Sequence, residues 1–194
     1  MTYRIVLDYG HGGSKTGAAY QGILEKHLNL DLGQKIYQQL KQLSDDIQVM
    51  LTRDDDYDIP IASRCALINA HHQQRPIDLV ASIHHNAADN INAHGFEVYI
   101  NEGNQLTRRH ATAIAREIEA IGLTLRNGGV LTTQQLGRRL AMIHKVAPPA
   151  ILIEAGYITN KNDRNTITSA SSQAAIAKAI ATAICNVLSS GGTP

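Results

Sequence analysis

The sequence predicts an α/β fold: one domain with a mainly parallel sheet between helical layers. Short β-branched and leucine-rich runs alternate with long segments of helical period. Two of the short runs, Asp78–Ile83 and Ile151–Ile153, are almost wholly apolar, as strands covered on both faces are. The residues able to do chemistry fall where those runs end, at the edge where such sheets gather ligands.

The elements follow in order. Ile5-Val6-Leu7 is the first strand, and a glycine-rich loop, Gly10-His11-Gly12-Gly13 then Gly17, leaves it. Leu28, Leu32, Ile36 and Leu40 repeat every fourth residue and predict a helix over 24–43. Ile47, Val49 and Leu51 alternate as a strand, and Pro60 suits the first turn of a helix running through Cys65 and Ile68 towards His72. After the central strand at 78–83, Phe96, Val98 and Ile100 alternate with Glu97 and Tyr99, the pattern of a half-exposed strand near the edge. Ile114, Ile118 and Ile121 mark a helix closed by Gly122. The pattern from Leu123 to Gly137 is weak, and Gly128-Gly129 reads as a turn. Leu140-Ala141-Met142-Ile143 reads as a short strand, and Ile151-Leu152-Ile153 as a buried one. Thr168 or Ser169 caps a last helix that carries Ile176, Ile180, Ile184 and Val187 on one face. Residues 189–194 have the composition of a tail or linker stub.

Composition narrows the function. The 194 residues are 43% apolar and 18% charged with net charge +1, an ordinary globular balance. That charge leaves no footprint for nucleic acid. No apolar run approaches the ~20 residues needed to span a bilayer, so membrane insertion is not expected. The first residues enter a strand without the pattern of a signal peptide, which predicts synthesis in the cytoplasm. Cys65 and Cys185 sit in apolar helical patterns and read as buried free thiols.

Four residues stand out. His11 follows strand one, Glu25 opens the next helix, His84 ends the central strand and Glu154 ends the late one. All four therefore belong to one sheet edge. Two imidazoles and a carboxylate make a familiar catalytic zinc set that leaves one tetrahedral position open. A second carboxylate outside the metal's coordination can take a proton from water and return it to a leaving nitrogen. Singly, each residue has a plainer explanation: a hydrogen-bonded strand-end histidine, or a helix-start carboxylate favoured by the dipole. Glu154 is the odd one, an acid directly after a buried run, where an unpaired charge is costly. Asp8 and Asn86 flank the presumed ligands and could orient an imidazole or serve in turns. Alternation sends His84 and His85 to opposite faces, so only one can reach the site.

At these positions the chain resembles the zinc-dependent N-acetylmuramoyl-L-alanine amidases, also called amidase type 3. The resemblance is carried by 5–13 (IVLDYGHGG), 25–30 (EKHLNL), Leu51-Thr52-Arg53, 82–87 (SIHHNA), 95–99 (GFEVY) and 149–160 (PAILIEAGYITN). It implies one zinc ion on His11, Glu25 and His84, with Glu154 as catalytic acid and base. The substrate it implies is peptidoglycan, cut at the amide joining N-acetylmuramic acid to L-alanine by attack of a zinc-bound water. The implied fold is a catalytic domain over 1–188 with a twisted sheet of about six strands flanked by helices on both faces.

Tyr9 stands where the family often has proline, Ala155 where a larger aliphatic is common, and Tyr157 where phenylalanine is common. Only 70 positions separate His84 from Glu154, too few for the autoinhibitory helix found in some relatives. The expectation is an open, monomeric phage-type lysis enzyme or delivered effector that reaches the cell wall after release. The alternatives are another zinc peptidase or deacetylase acting on the wall, or an inactive wall-binding protein.

Overall fold

The apolar runs become the strands of one sheet in the computed structural model, which describes residues 2–191. In chain order the elements are β1 (Tyr3–Tyr9), β2 (Ala19–Tyr20), β3 (Ile23–Leu24), α1 (Glu25–Leu43), β4 (Ile47–Leu51) and α2 (Ile61–Gln74). They continue with β5 (Leu79–Asn86), β6 (Phe96–Ile100), α3 (Gln105–Ala120), β7 (Leu125–Thr132), α4 (Thr133–Leu136) and α5 (Ala141–His144). The last are β8 (Ala150–Tyr157), α6 (Lys161–Ile167) and α7 (Ala170–Ser189). Of the tail assigned to residues 189–194, Ser189 is the last residue of α7 and residues 192–194 lie outside the described residues.

The main sheet has six strands in the order β4-β1-β5-β8-β6-β7. Its neighbours pair in parallel except β6 and β8, which are antiparallel. Strand alternation divides the core into two layers. Ile5, Leu7, Ile83, Ile151 and Ile153 meet α1, α3 and α7 on one face. Val6 and Val80 meet Cys65 and Ile68 of α2 and Met142 of α5 on the other. Each such aliphatic side chain contributes roughly 1.5–3 kcal/mol by leaving water. Ser169 caps α7 by accepting from the Ser172 amide. Both cysteines are free thiols, Cys65 buried and Cys185 half-buried.

Several expectations are corrected. β6 is buried along its whole length rather than half-exposed, because it lies inside the sheet between β8 and β7. Residues 123–137 hold a full strand, β7, and a short helix. Gly128-Gly129 is an irregularity within that strand: φ is positive at Asn127, Gly128 and Gly129, and the register against β6 shifts there. Leu140–Ile143 is the start of a helix, since Leu140 forms the cap of α5. α7 is long and apolar enough to cross a membrane by length and composition. It is not an unbroken apolar run, since Gln173, Lys178 and Asn186 interrupt it, so the expectation of no such run is unchanged. Its Ile176, Ile180 and Ile184 pack in the core.

Candidate active site

Local structure places each donor. β1 ends at Tyr9, and the chain turns at His11 with φ of +63°, a left-handed conformation uncommon outside glycine. A bridge between Gly12 and Lys15 closes the loop. Gly10 and Gly17 are required by proximity: a Cβ at Gly10 would strike the His84 ring, and one at Gly17 would strike the Glu25 carboxylate and the His11 ring. The β2–β3 hairpin then delivers the chain to α1, turning on Gln21 and Gly22, both at positive φ. Glu25 is the first residue of α1, pinned twice to Ala18: its amide donates to the Ala18 carbonyl at 2.9 Å and its Oε2 accepts from the Ala18 amide at 2.8 Å. His84 arrives on β5, beside β1.

The three side chains meet. Glu25 Oε2 lies 3.1 Å from His11 Nε2, and Glu25 Oε1 lies 2.9 Å from His84 Nδ1. The imidazoles stand edge to face with centroids 5.0 Å apart. One ligand atom from each residue lies within 4.8 Å of the others, so a single metal ion can be shared among them. Two neutral imidazoles and a carboxylate are the donor chemistry zinc accepts, and the residues fit that ion. Burial would raise the Glu25 carboxyl, but its contacts with His11 and His84 outweigh burial and hold it far below the usual carboxylate range. His11 and His84 keep 32% and 19% of their side-chain surface exposed, so the trio is reachable from solvent. A cleft of about 370 Å³ opens beside it, lined by His11, His84, Lys15 and the apolar run Ile59-Pro60-Ile61. A cavity of about 460 Å³ near Gln34 and Tyr37 of α1 lies away from these donors.

Glu154 stands directly across from His84 in the β5–β8 register. The residue keeps some exposure, yet its Oε2 is shut off from solvent and has no hydrogen-bond partner. Burial, then the charges of Glu25 and Glu97, push its carboxyl well above the usual range, against a weaker pull from Arg138. On its other side Glu154 faces Glu97 of β6. Glu97 is 1% exposed and well satisfied. It accepts from Tyr157 at 3.0 Å, Tyr99 at 3.3 Å, Asn86 at 3.4 Å and Asn127 at 3.2 Å, with Arg126 at 3.5 Å.

Beneath the trio, Asp8 accepts from Thr52 and Ser82, each at 2.6 Å, and pairs with Arg64 at 2.9 Å. Burial works against its charge, but Arg64 and those hydroxyls prevail and hold the carboxyl below its ordinary value. Arg64 also donates to the carbonyls of Tyr9 and His11, and Arg53 to those of Tyr9, Gly10 and Lys26. The loop carrying His11 is thus held by two buried guanidiniums.

All four residues singled out from sequence come to one edge. Asp8 and Asn86 do not orient an imidazole: Asp8 serves the β1–β4–β5 network, and Asn86 donates to Glu97. Of the two adjacent histidines only His84 joins the trio, and burial pulls the His85 imidazole down to about 4 against the opposing pull of Glu25. Sequence reasoning missed Asn29, which contacts Glu25 and His85, and Glu97. Asn29 had a legible signal, its position four residues after Glu25 on a helix.

This arrangement defines a class: α/β domains that present a candidate metal centre at the carboxyl edge of the sheet. Comparison with known proteins makes it specific. The model of the type 3 N-acetylmuramoyl-L-alanine amidase family matches residues 5–186, and the chain belongs to that family. It is 30% identical over 179 residues to the N-acetylmuramoyl-L-alanine amidase CwlM of Bacillus licheniformis, covering 90% of this chain and 64% of that protein. The chain thus spans less than two thirds of that relative's length. The N-acetylmuramoyl-L-alanine amidase from Clostridium difficile 630 superposes with a TM-score of 0.86 at 27% identity, covering 98% of this chain and 99% of that one. The catalytic domain of CwlV, an amidase from Bacillus (Paenibacillus) polymyxa var. colistinus, gives 0.84 at 27% identity, with coverage of 97% and 99%.

Proposed function

We propose that this chain is a zinc-dependent peptidoglycan hydrolase that cleaves the amide between N-acetylmuramic acid and the L-alanine of the stem peptide. The observation that supports it best is the trio His11, Glu25 and His84, with ligand atoms within 4.8 Å, set across the β5–β8 register from Glu154, whose buried Oε2 has no partner. Zinc, when bound to the trio, supplies positive charge that polarises the scissile carbonyl, acidifies water and favours ionised Glu154. Glu154 takes a proton from the attacking water and hands it to the leaving alanine nitrogen. Its buried setting favours the protonated form, which suits the second of those transfers. The Ile59–Ile61 wall of the cleft excludes water on one side of the substrate. The catalytic unit in this reading is residues 1–188, with 189–194 as tail, and it works on the wall as a monomer without a covering helix, as a lysis enzyme or delivered effector.

Digestion of purified sacculi, with mass spectrometry of the new chain ends, tests this. Free amino groups on L-alanine are expected, abolished by chelation and restored by zinc. Released acetate, or new ends only within the stem peptide, would replace the amidase reading with a deacetylase or a peptidase.

A further inference from the structure

Glu25 is held by more than the histidines that share it. Asn29 lies one turn further along α1, buried, on the same face. Its Nδ2 donates to the Gly10 carbonyl at 3.1 Å and to Glu25 Oε1 at 3.2 Å, which uses both amide protons. Oδ1 is then the acceptor facing His85 Nδ1 at 2.8 Å. That geometry assigns the His85 tautomer: the proton sits on Nδ1, and Nε2 keeps a lone pair that no group meets. A buried unpaired nitrogen is costly. An apolar side chain of similar bulk would fill the space without it, so what the imidazole contributes here is its Nδ1 donor.

The need for that donor follows from the carboxylate. A cation held by His11, Glu25 and His84 would take the place of the two contacts those imidazoles make with the Glu25 carboxylate. The Ala18 amide then remains on Oε2, and the His85 amide (3.3 Å) and the Asn29 side chain remain on Oε1. Without Asn29 the only donor left on Oε1 is the longer His85 amide contact, and the carboxylate is freer to swing about its last torsion. A fixed donor at Oε1 stops it.

We propose that Asn29 and His85 are positioning residues: His85 orients the Asn29 amide, Asn29 fixes the plane of the Glu25 carboxylate, and the pair thereby raises zinc affinity. This rests on the zinc reading above. Competition with a chromophoric chelator measures the zinc dissociation constant of the full chain, with circular dichroism to confirm folding. Asn29→Ala and His85→Leu are each expected to weaken zinc binding about 10–100-fold. His85→Asn, whose amide can donate from the Nδ1 position, is expected to restore binding close to wild type. The double variant is expected to be no weaker than Asn29→Ala, since His85 acts through Asn29. Folded His85→Leu that binds zinc as tightly as wild type overturns the proposal and leaves the zinc reading intact, as does His85→Asn weakened as much as His85→Leu. Wild-type chain that takes up no zinc overturns both.

Discussion

Glu97 and Glu154 are neighbours across β6 and β8, both acidic and both with buried oxygens, yet their surroundings differ. Glu97 sits among two tyrosine hydroxyls, two asparagine amides and a guanidinium. Glu154 has an oxygen with nothing to accept from, and two carboxylates for electrostatic company. The irregular stretch of β7 explains half the contrast, because it turns Arg126 and Asn127 towards Glu97. Burial of an acid does not by itself mark chemistry. An acid buried without the donors that would satisfy it is a stronger sign, since that cost persists only where something else is gained.

The sharpest way to break this contrast is to neutralise each acid in turn. Glu154→Gln is expected to lower kcat about 10²–10⁴-fold, as loss of a general acid–base does, with the melting temperature unchanged or raised. Equal loss from Glu97→Gln in a fully folded protein would show that the satisfied acid is the chemical one. Next in size is stability. Asp8 is a second satisfied acid, and Asp8→Ala leaves Arg64 buried without its charge partner. Urea denaturation should show a loss of about 3–5 kcal/mol. Glu97→Ala should cost less, about 1–3 kcal/mol, from stranding the two tyrosine hydroxyls. Its ion pair adds little, because Arg126 is about a third exposed.

The pH dependence of metal-free protein separates the acids by sign. Glu154 is raised on folding, so above the ordinary carboxylate range the folded state binds a proton the unfolded state has lost. Its contribution therefore weakens stability as pH rises from about 4.3 towards its raised value. Asp8 is lowered, so its contribution is present above about 3.9 and lost as pH falls through its folded value. Melting temperatures across pH should show Glu154→Gln flattening the alkaline limb alone; an unchanged profile would mean Glu154 is not held protonated. The smallest effect concerns His110 of α3, fully buried with both ring nitrogens unpaired and pulled down to about 4 by burial. Remaining neutral costs stability as pH falls from about 6.5 towards 4, and His110→Leu should remove that slope.

Much of this was legible in sequence because it is written in contiguous patterns. β1, β5 and β8 show as apolar runs, and the residue that ends each run lies at the same edge by topology alone. β7 escaped because its glycine pair resembles a turn, and only the register against β6 shows that the strand resumes. Leu140–Ile143 misled for another reason: four apolar residues suit a strand or a helix turn equally, and packing decides. Glu97 made β6 look half-exposed, because the groups that satisfy it come from β5, β7 and β8. His85 and Asn29 are 56 positions apart, beyond any local pattern.

The order of the strands has one more consequence. The trio comes entirely from residues 11 to 84, on or beside the adjoining β1 and β5, whereas Glu154 belongs to β8 on the far side of β5. In the proposed reaction, capturing the ion and moving the proton would thus fall to separate stretches of chain. On that reading, a descendant that exchanged Glu154 for an inert residue is expected to purify with its full complement of metal, so elemental analysis would not stand in for a turnover assay among its kin.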